Sequence, residues 1–305
     1  MRIISILILL ISLYSCILSD DIPESFDARV KWPNCVPKIQ NQGGCGACYA
    51  FSVSTAFSMR YCIRNNLSKI INFSAQNLIN CLSGCIGDFP DVTWNYLHEN
   101  GITTEKCLSY KQGRRSCNLK CDLNNVIFDT YYAGKTKFLE DEIAIKKEIL
   151  KNGPVTTMMY IYGDYYSYKS GVYIHKSKHN YPIDNHSITI MGWGVENGID
   201  YWLIQDSYGL SKGENGFIKV QVGDSSGAGQ SGYCDNMIGN YIEYNEEDSK
   251  NDLISGNNNM VKDTTGGKNY NKGGEMKTNN NKGDYINNLV EIKYFIILIF
   301  ISFIF

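Results

Sequence analysis

The sequence predicts an α+β fold of two lobes, helical first and β-rich second, with a cleft between them. Three observations carry this. Across residues 48–100 apolar side chains recur at helical spacing, with Ala50, Phe51, Val53, Ala56, Phe57 and Met59 on the face expected to be buried. After Gly153 the pattern changes to short apolar runs at 155–161, 187–192, 201–205 and 216–222, bounded by Gly, Asn or Pro, which read as antiparallel strands. Finally, 305 residues, less two atypical ends, suffice for one large domain or two lobes of roughly 100 residues each.

Taken from the start, residues 1–19 carry one positive charge, Arg2, then an apolar run from Ile3 to Leu13 and small residues at Ser15 and Ser19. That is the pattern of a secretory signal peptide, with the mature chain starting near Asp20. Eleven cysteines fit a compartment that permits disulfides, so the expected location is the secretory pathway, ending in a lysosome or vacuole, outside the cell or at its surface. Asn66-Leu67-Ser68 and Asn72-Phe73-Ser74 are acceptor sequons for N-glycosylation, or chance matches to a short pattern. A third, Asn185-His186-Ser187, would place a glycan over a histidine required below.

The globular part is assigned to residues 20–243. From 244 to 293 asparagine, lysine and glycine take over, with too little apolar surface to offset ordering entropy, and a disordered linker is expected. Residues 294–305 form a hydrophobic tail of twelve residues, which as a helix reaches only ~18 Å of a ~30 Å hydrocarbon layer. After a polar spacer with small residues such as Asn281 and Gly283, it reads as a removable GPI-anchor signal, a short tail anchor, or merely a sticky terminus. Membrane attachment through this tail is the expectation. A formal charge of -2 and a pI near 6.1, with scattered lysines, provide no field for a polyanion and exclude nucleic acid as a partner.

The chemistry concentrates in Gln42-Gly43-Gly44-Cys45-Gly46-Ala47-Cys48-Tyr49-Ala50-Phe51. Cys48 opens the helical run, where unpaired backbone N–H groups and the helix dipole favour thiolate over thiol. The alternative, a redox or zinc Cys-x-x-Cys pair, lacks a second Cys-x-x-Cys or Cys-x-x-His, and neither metal nor cofactor is expected. A thiol nucleophile needs a base, and the chain has four histidines. His186 opens the apolar run 187–191, whereas His98, His175 and His179 read as solvated. A third group must fix the imidazole ring, and Asp206 can accept its N–H and favour imidazolium by its charge. Gln42 and the backbone N–H of Cys48 can hold a developing oxyanion.

Residues 22–243 resemble the papain family of cysteine proteases and, within it, the cathepsin B-like group. The resemblance rests on Pro23-Glu24-Ser25-Phe26-Asp27-Ala28-Arg29, Trp32-Pro33-Asn34-Cys35, the Cys48 segment, Tyr168-Lys169-Ser170-Gly171-Val172-Tyr173, Gly192-Trp193-Gly194 and Gly213-Glu214-Asn215-Gly216-Phe217. His186 follows Cys48 by 138 residues, inside the family's interval of about 130 to 150. The resemblance implies a papain-like fold whose second lobe is an antiparallel sheet or barrel, and peptide hydrolysis through an acyl-enzyme on Cys48 and His186, with Gln42 and Asp206 assisting. It also implies the pairings Cys35–Cys62, Cys45–Cys85, Cys81–Cys117 and Cys107–Cys121, which leave Cys48 and Cys234 free, while Cys16 leaves with the signal peptide. The expected partners are protein or peptide substrates, and the expected state is a monomer.

Departures from the family lie in the cleft. Asp206 stands where the family has asparagine, Tyr208 where a tryptophan shields it, and Lys212 where a second tryptophan follows. The Cys-Asn-Gly-Gly substrate segment is Cys85-Ile86-Gly87-Asp88, so a side chain is expected to crowd or repel peptides at Asp88. Nine residues separate Cys107 from Cys117, too few for the loop that closes one end of the cathepsin B cleft, which predicts endopeptidase action. Met158 and Gly239 are placed in the second specificity pocket, apolar and without an arginine preference. The signal-like segment runs directly into Ile22-Pro23-Glu24, which leaves no room for an inhibitory propeptide. The expected activity is therefore a cysteine endopeptidase; the alternatives are a papain-fold binding or regulatory protein with impaired catalysis, or a structural disulfide-rich surface protein.

Overall fold

A computed structural model describes residues 22–117, 120–124, 128–176, 181–224 and 226–235. In chain order its elements are β1 (Phe26–Asp27), α1 (Ala28–Lys31), α2 (Cys48–Arg64), α3 (Ala75–Cys81), α4 (Pro90–Asn100), β2 (Thr136–Leu139), α5 (Glu142–Asn152), β3 (Val155–Ile161), β4 (Val172–Tyr173), β5 (Asp184–Glu196), β6 (Ile199–Gln205), β7 (Phe217–Gln221) and β8 (Gly232–Asp235). Short 3₁₀ turns occupy Pro33–Cys35 and Gly163–Ser167. The expected strands are all present, and β5 runs longer than its apolar core because its first residues still pair with β3.

The strands form one sheet in the order β2-β8-β3-β5-β6-β7-β4, with β1 beside β5. Pairing is antiparallel except between β4 and β7, and within the described residues the sheet is open, so the second lobe is a sheet and not a closed barrel. Gly192 is what lets β1 join: a Cβ there would lie 2.0 Å from the Phe26 carbonyl oxygen.

Two apolar cores explain the two lobes. Phe51, Phe57, Leu78, Ile79, Trp94 and Leu97 fill the helical one; Ile149, Val155, Ile161, Ile190, Trp202 and Ile218 fill the one under the sheet. A smaller cluster of Ala28, Met59, Met191 and Leu203 joins them. Helix α2 lies between both cores and is buried on nearly every side, so the single buried face read from periodicity is too narrow. A helix so placed must also bury polar residues. Arg60 does so by donating to Asp235 Oδ1 at 2.6 Å, Glu148 Oε1 at 2.8 Å and the Gly153 carbonyl at 3.1 Å, which ties α2 to α5 and β8.

Four disulfides staple the first half of the chain: Cys35–Cys62, Cys45–Cys85, Cys81–Cys117 and Cys107–Cys121. Among the described residues Cys48 and Cys234 are free, both buried. No helix of the described residues is long and apolar enough to cross a membrane. The signal-like segment, the linker, the tail, His179 and Gly239 lie outside the described residues.

Candidate active site

Cys48 is the first residue of α2, and no side chain caps that end. Backbone N–H groups of Tyr49 and Ser187 point at its sulfur. Burial pushes the thiol up, but the hydrogen bond and charge of His186, with those two N–H groups, outweigh it and bring the thiol below its ordinary range. The segment before it is held in place by close backbone contact. Gly46 N–H donates to the Cys85 carbonyl at 3.0 Å, and a Cβ on Gly46 would stand 2.6 Å from that oxygen.

His186 comes from the other lobe, in β5 opposite Met159 of β3. The two lobes meet beside the site, where Ser52 of α2 and Ser187 of β5 share a 2.6 Å hydrogen bond and Thr189 donates to the Ser52 carbonyl. The His186 ring pairs through Nε2 with Asp206 Oδ1 at 2.9 Å, which leaves Nδ1 for the thiol. Burial alone would lower the histidine; the Asp206 carboxylate and the Cys48 sulfur instead raise it to about 10. Tyr208 stacks on the ring with centroids 4.6 Å apart, its hydroxyl 3.5 Å from Nδ1, and so covers the buried pair.

Asp206 follows β6 and is fully enclosed. Its Oδ1 also accepts from the Ser207 N–H at 2.6 Å, and its Oδ2 accepts from the Tyr165 hydroxyl at 2.6 Å. Burial raises this carboxyl, yet His186, Tyr165 and Ser207 hold it below the usual carboxylate range. Gln42 is oriented from both ends of its amide. Its Oε1 accepts from the Ser207 hydroxyl at 2.5 Å and its Nε2 donates to the Cys45 carbonyl at 2.9 Å, which leaves one amide hydrogen for the cleft.

The residues expected to line substrate pockets are spread around this centre. Gly87 has φ +91° and open space around it, as a glycine in contact with a passing chain requires. The Asp88 carboxylate is turned onto the Ser83 hydroxyl and the Phe89 N–H, both within its own loop. Met158 is half-buried in β3, opposite Ser187. On the Tyr208 side, an open groove of about 510 Å³ runs past Gly43, Gly44, Tyr166, Lys169 and Lys212. The short segment between Cys107 and Cys117 is pinned on α3 instead, Lys111 N–H donating to Gln76 and Arg115 N–H to Asn80. Of the sequons, Asn66 is exposed just beyond α2 and Asn72 is half-buried.

Two histidines differ from their expected solvated state. His98 is half-buried with Nδ1 3.1 Å from the Ala133 carbonyl oxygen. His175 has a side chain only 8% exposed, paired with Asp164 and stacked on Tyr162, because aromatic residues close over that turn. Tyr165 is the site residue that the sequence reading missed. Its signal is an aromatic-rich turn, Asp164-Tyr165-Tyr166, directly before the Tyr168 block, since a buried tyrosine hydroxyl demands a partner.

Comparison with known proteins gives the family and the fold. The family described as papain family cysteine protease matches residues 22–238. "Cathepsin B-like CP2" of Giardia intestinalis is 33% identical over 210 residues, 66% of this chain and 69% of that protein. "Cathepsin B-like cysteine proteinase 4" of Caenorhabditis elegans is 32% identical over 241 residues, 66% of this chain and 71% of the relative. Among solved structures, that of "proCathepsin B S9 from Trypanosoma congolense" superposes with a TM-score of 0.67 at 30% identity, covering 72% of this chain and 79% of that one. With a free cysteine at a helix start, a histidine brought against it from the sheet and a family match across both lobes, the chain belongs to the papain family of cysteine proteases and is similar to its cathepsin B-like members.

Proposed function

We propose that the protein is a cysteine endopeptidase. The observation that carries this reading is the continuous chain from Cys48 through His186 to Asp206, buried at the meeting of the two lobes. The Cys48 thiolate attacks a peptide carbonyl carbon, and the carbonyl π electrons move to oxygen, where the Cys48 N–H and the remaining Gln42 amide hydrogen hold the charge. The C–N bond breaks as the imidazolium of His186 gives its Nδ1 proton to the leaving amine. Water then attacks the thioester while neutral His186 takes its proton, which releases the acid and restores the thiolate–imidazolium pair. The open groove on the Tyr208 side supports internal cleavage of a longer chain. Met158 is assigned to the second specificity pocket and Gly87 to backbone contact with substrate.

Around this domain, residues 1–19 are proposed as a secretory leader and 294–305 as a membrane-attaching tail, with the enzyme working in the secretory pathway or beyond it. The decisive experiment is labelling with a thiol-directed epoxide peptide between pH 5 and about pH 7. Native protein is expected to react and Cys48→Ala to stay unlabelled. Reaction only after denaturation, or a Cys48 no faster than free cysteine, overturns the reading.

A further inference from the structure

We infer that Tyr165 and Lys212 are positioning residues, placed to hold Asp206 as a carboxylate aimed at His186 where the family carries an asparagine. The inference rests on the peptidase reading above and adds two residues to it. An asparagine in this position would present one acceptor oxygen and no charge. An aspartate presents two acceptor oxygens and a full negative charge, and at 2% exposure both need partners.

Each need is met by a side chain from a different element. The second oxygen is taken by the Tyr165 hydroxyl, from the 3₁₀ turn Gly163–Ser167, in a ring that is 0% exposed. The charge is met first by the His186 imidazolium and then, through space, by Lys212, itself only 7% exposed, whose Nζ donates to the Tyr165 carbonyl and lies 4.1 Å from the centre of the Tyr165 ring. A cation on that face draws electron density from the ring and makes its hydroxyl a stronger donor. Lys212 feels the Asp206 charge directly, and below about 8 it is an ammonium despite its burial.

The charges then balance. The thiolate and Asp206 are negative, and the imidazolium and Lys212 are positive. With asparagine at position 206, the buried lysine would lack its counter-charge. Lys212 therefore belongs with Asp206, and is not a sign of a decayed site. The groups facing Asp206 are His186 from β5, Cys48 beyond it from α2, Tyr165, and Ser207, Tyr208 and Lys212 from the loop after β6. Lys169 adds a like charge beside Lys212.

A double-mutant cycle in full-length protein tests this, read in two ways. In a Cys48→Ala background, the low-field Nε2 proton and ring nitrogens of His186 are followed by NMR from roughly pH 2 to 9. Tyr165→Phe and Lys212→Met are each expected to raise the pH at which protonation of Asp206 disturbs His186, by about one unit for the loss of a hydrogen-bond donor in the first and of a nearby cation in the second. With Asp206→Asn present, Tyr165→Phe should no longer move the His186 signals. In protein with Cys48 intact, alkylation is expected to fall about tenfold in Asp206→Asn and to recover when Lys212→Met is added. Equal effects of Tyr165→Phe in both backgrounds, or a Lys212→Met that adds to the Asp206→Asn loss, would overturn the inference. Slow alkylation in every variant would sink the peptidase reading instead, and the His186 spectra would still decide the cycle.

Discussion

Asp206 changes what is asked of His186. An amide in its place could orient the ring, whereas a buried carboxylate at 2.9 Å also stabilises the imidazolium and lifts the histidine to about 10. The raised value means that the imidazolium is kept through neutral pH and is lost only as pH climbs through about 10. Its contribution to stability is complete below the unfolded value near 6.5 and disappears over that same alkaline window. In peptide hydrolysis, Asp206→Asn is therefore expected to pull the alkaline limb of kcat/KM down by more than about one pH unit. A limb that stays in place would show that the carboxylate charge does not govern His186.

The element on which most depends is α2. Its N-terminus presents Cys48, while its C-terminal half carries Arg60 into the space between the lobes. Glu148 sits against that guanidinium. Burial would raise its carboxyl, but Arg60, Lys137 and Asn152 hold it down at about 2. A depressed carboxylate stabilises the fold above its unfolded value near 4.3, and this contribution fades only as pH falls toward about 2. Arg60→Met should cost about 3 to 5 kcal/mol at neutral pH, because two buried carboxylates lose the buried guanidinium they share, and Lys137 and Arg64 reach only the other oxygen of each. Urea unfolding measures it, and a midpoint within error of the parent would show that the cluster contributes nothing net.

Across the whole molecule, cross-linking is uneven. All four disulfides lie between residues 35 and 121, and the described part of the sheet lobe has none. The helical lobe has short helices joined by long irregular segments, so it depends on those links, whereas the sheet lobe is held by its ladder and core. Mild reduction is expected to speed amide exchange across residues 65–121 well before it touches β5 and β6. Simultaneous loosening of both lobes would mean that they unfold as one unit.

How much of this was legible depends on how far apart the cooperating residues stand in the chain. Cys48 at the head of a helix, the short strands after Gly153 and the pairing of a distant histidine with that thiol were readable, because each rests on local periodicity or on a motif of fixed residue types. The environment of Asp206 was not. Tyr165 lies 41 residues from it, and Arg60 lies 175 residues from Asp235, and no local pattern encodes such a meeting. From the sequence, Asp206 and Lys212 were two separate departures from a family pattern. Tertiary packing sets them on either side of one tyrosine, because a buried charge is stable only where folding brings its partners to it.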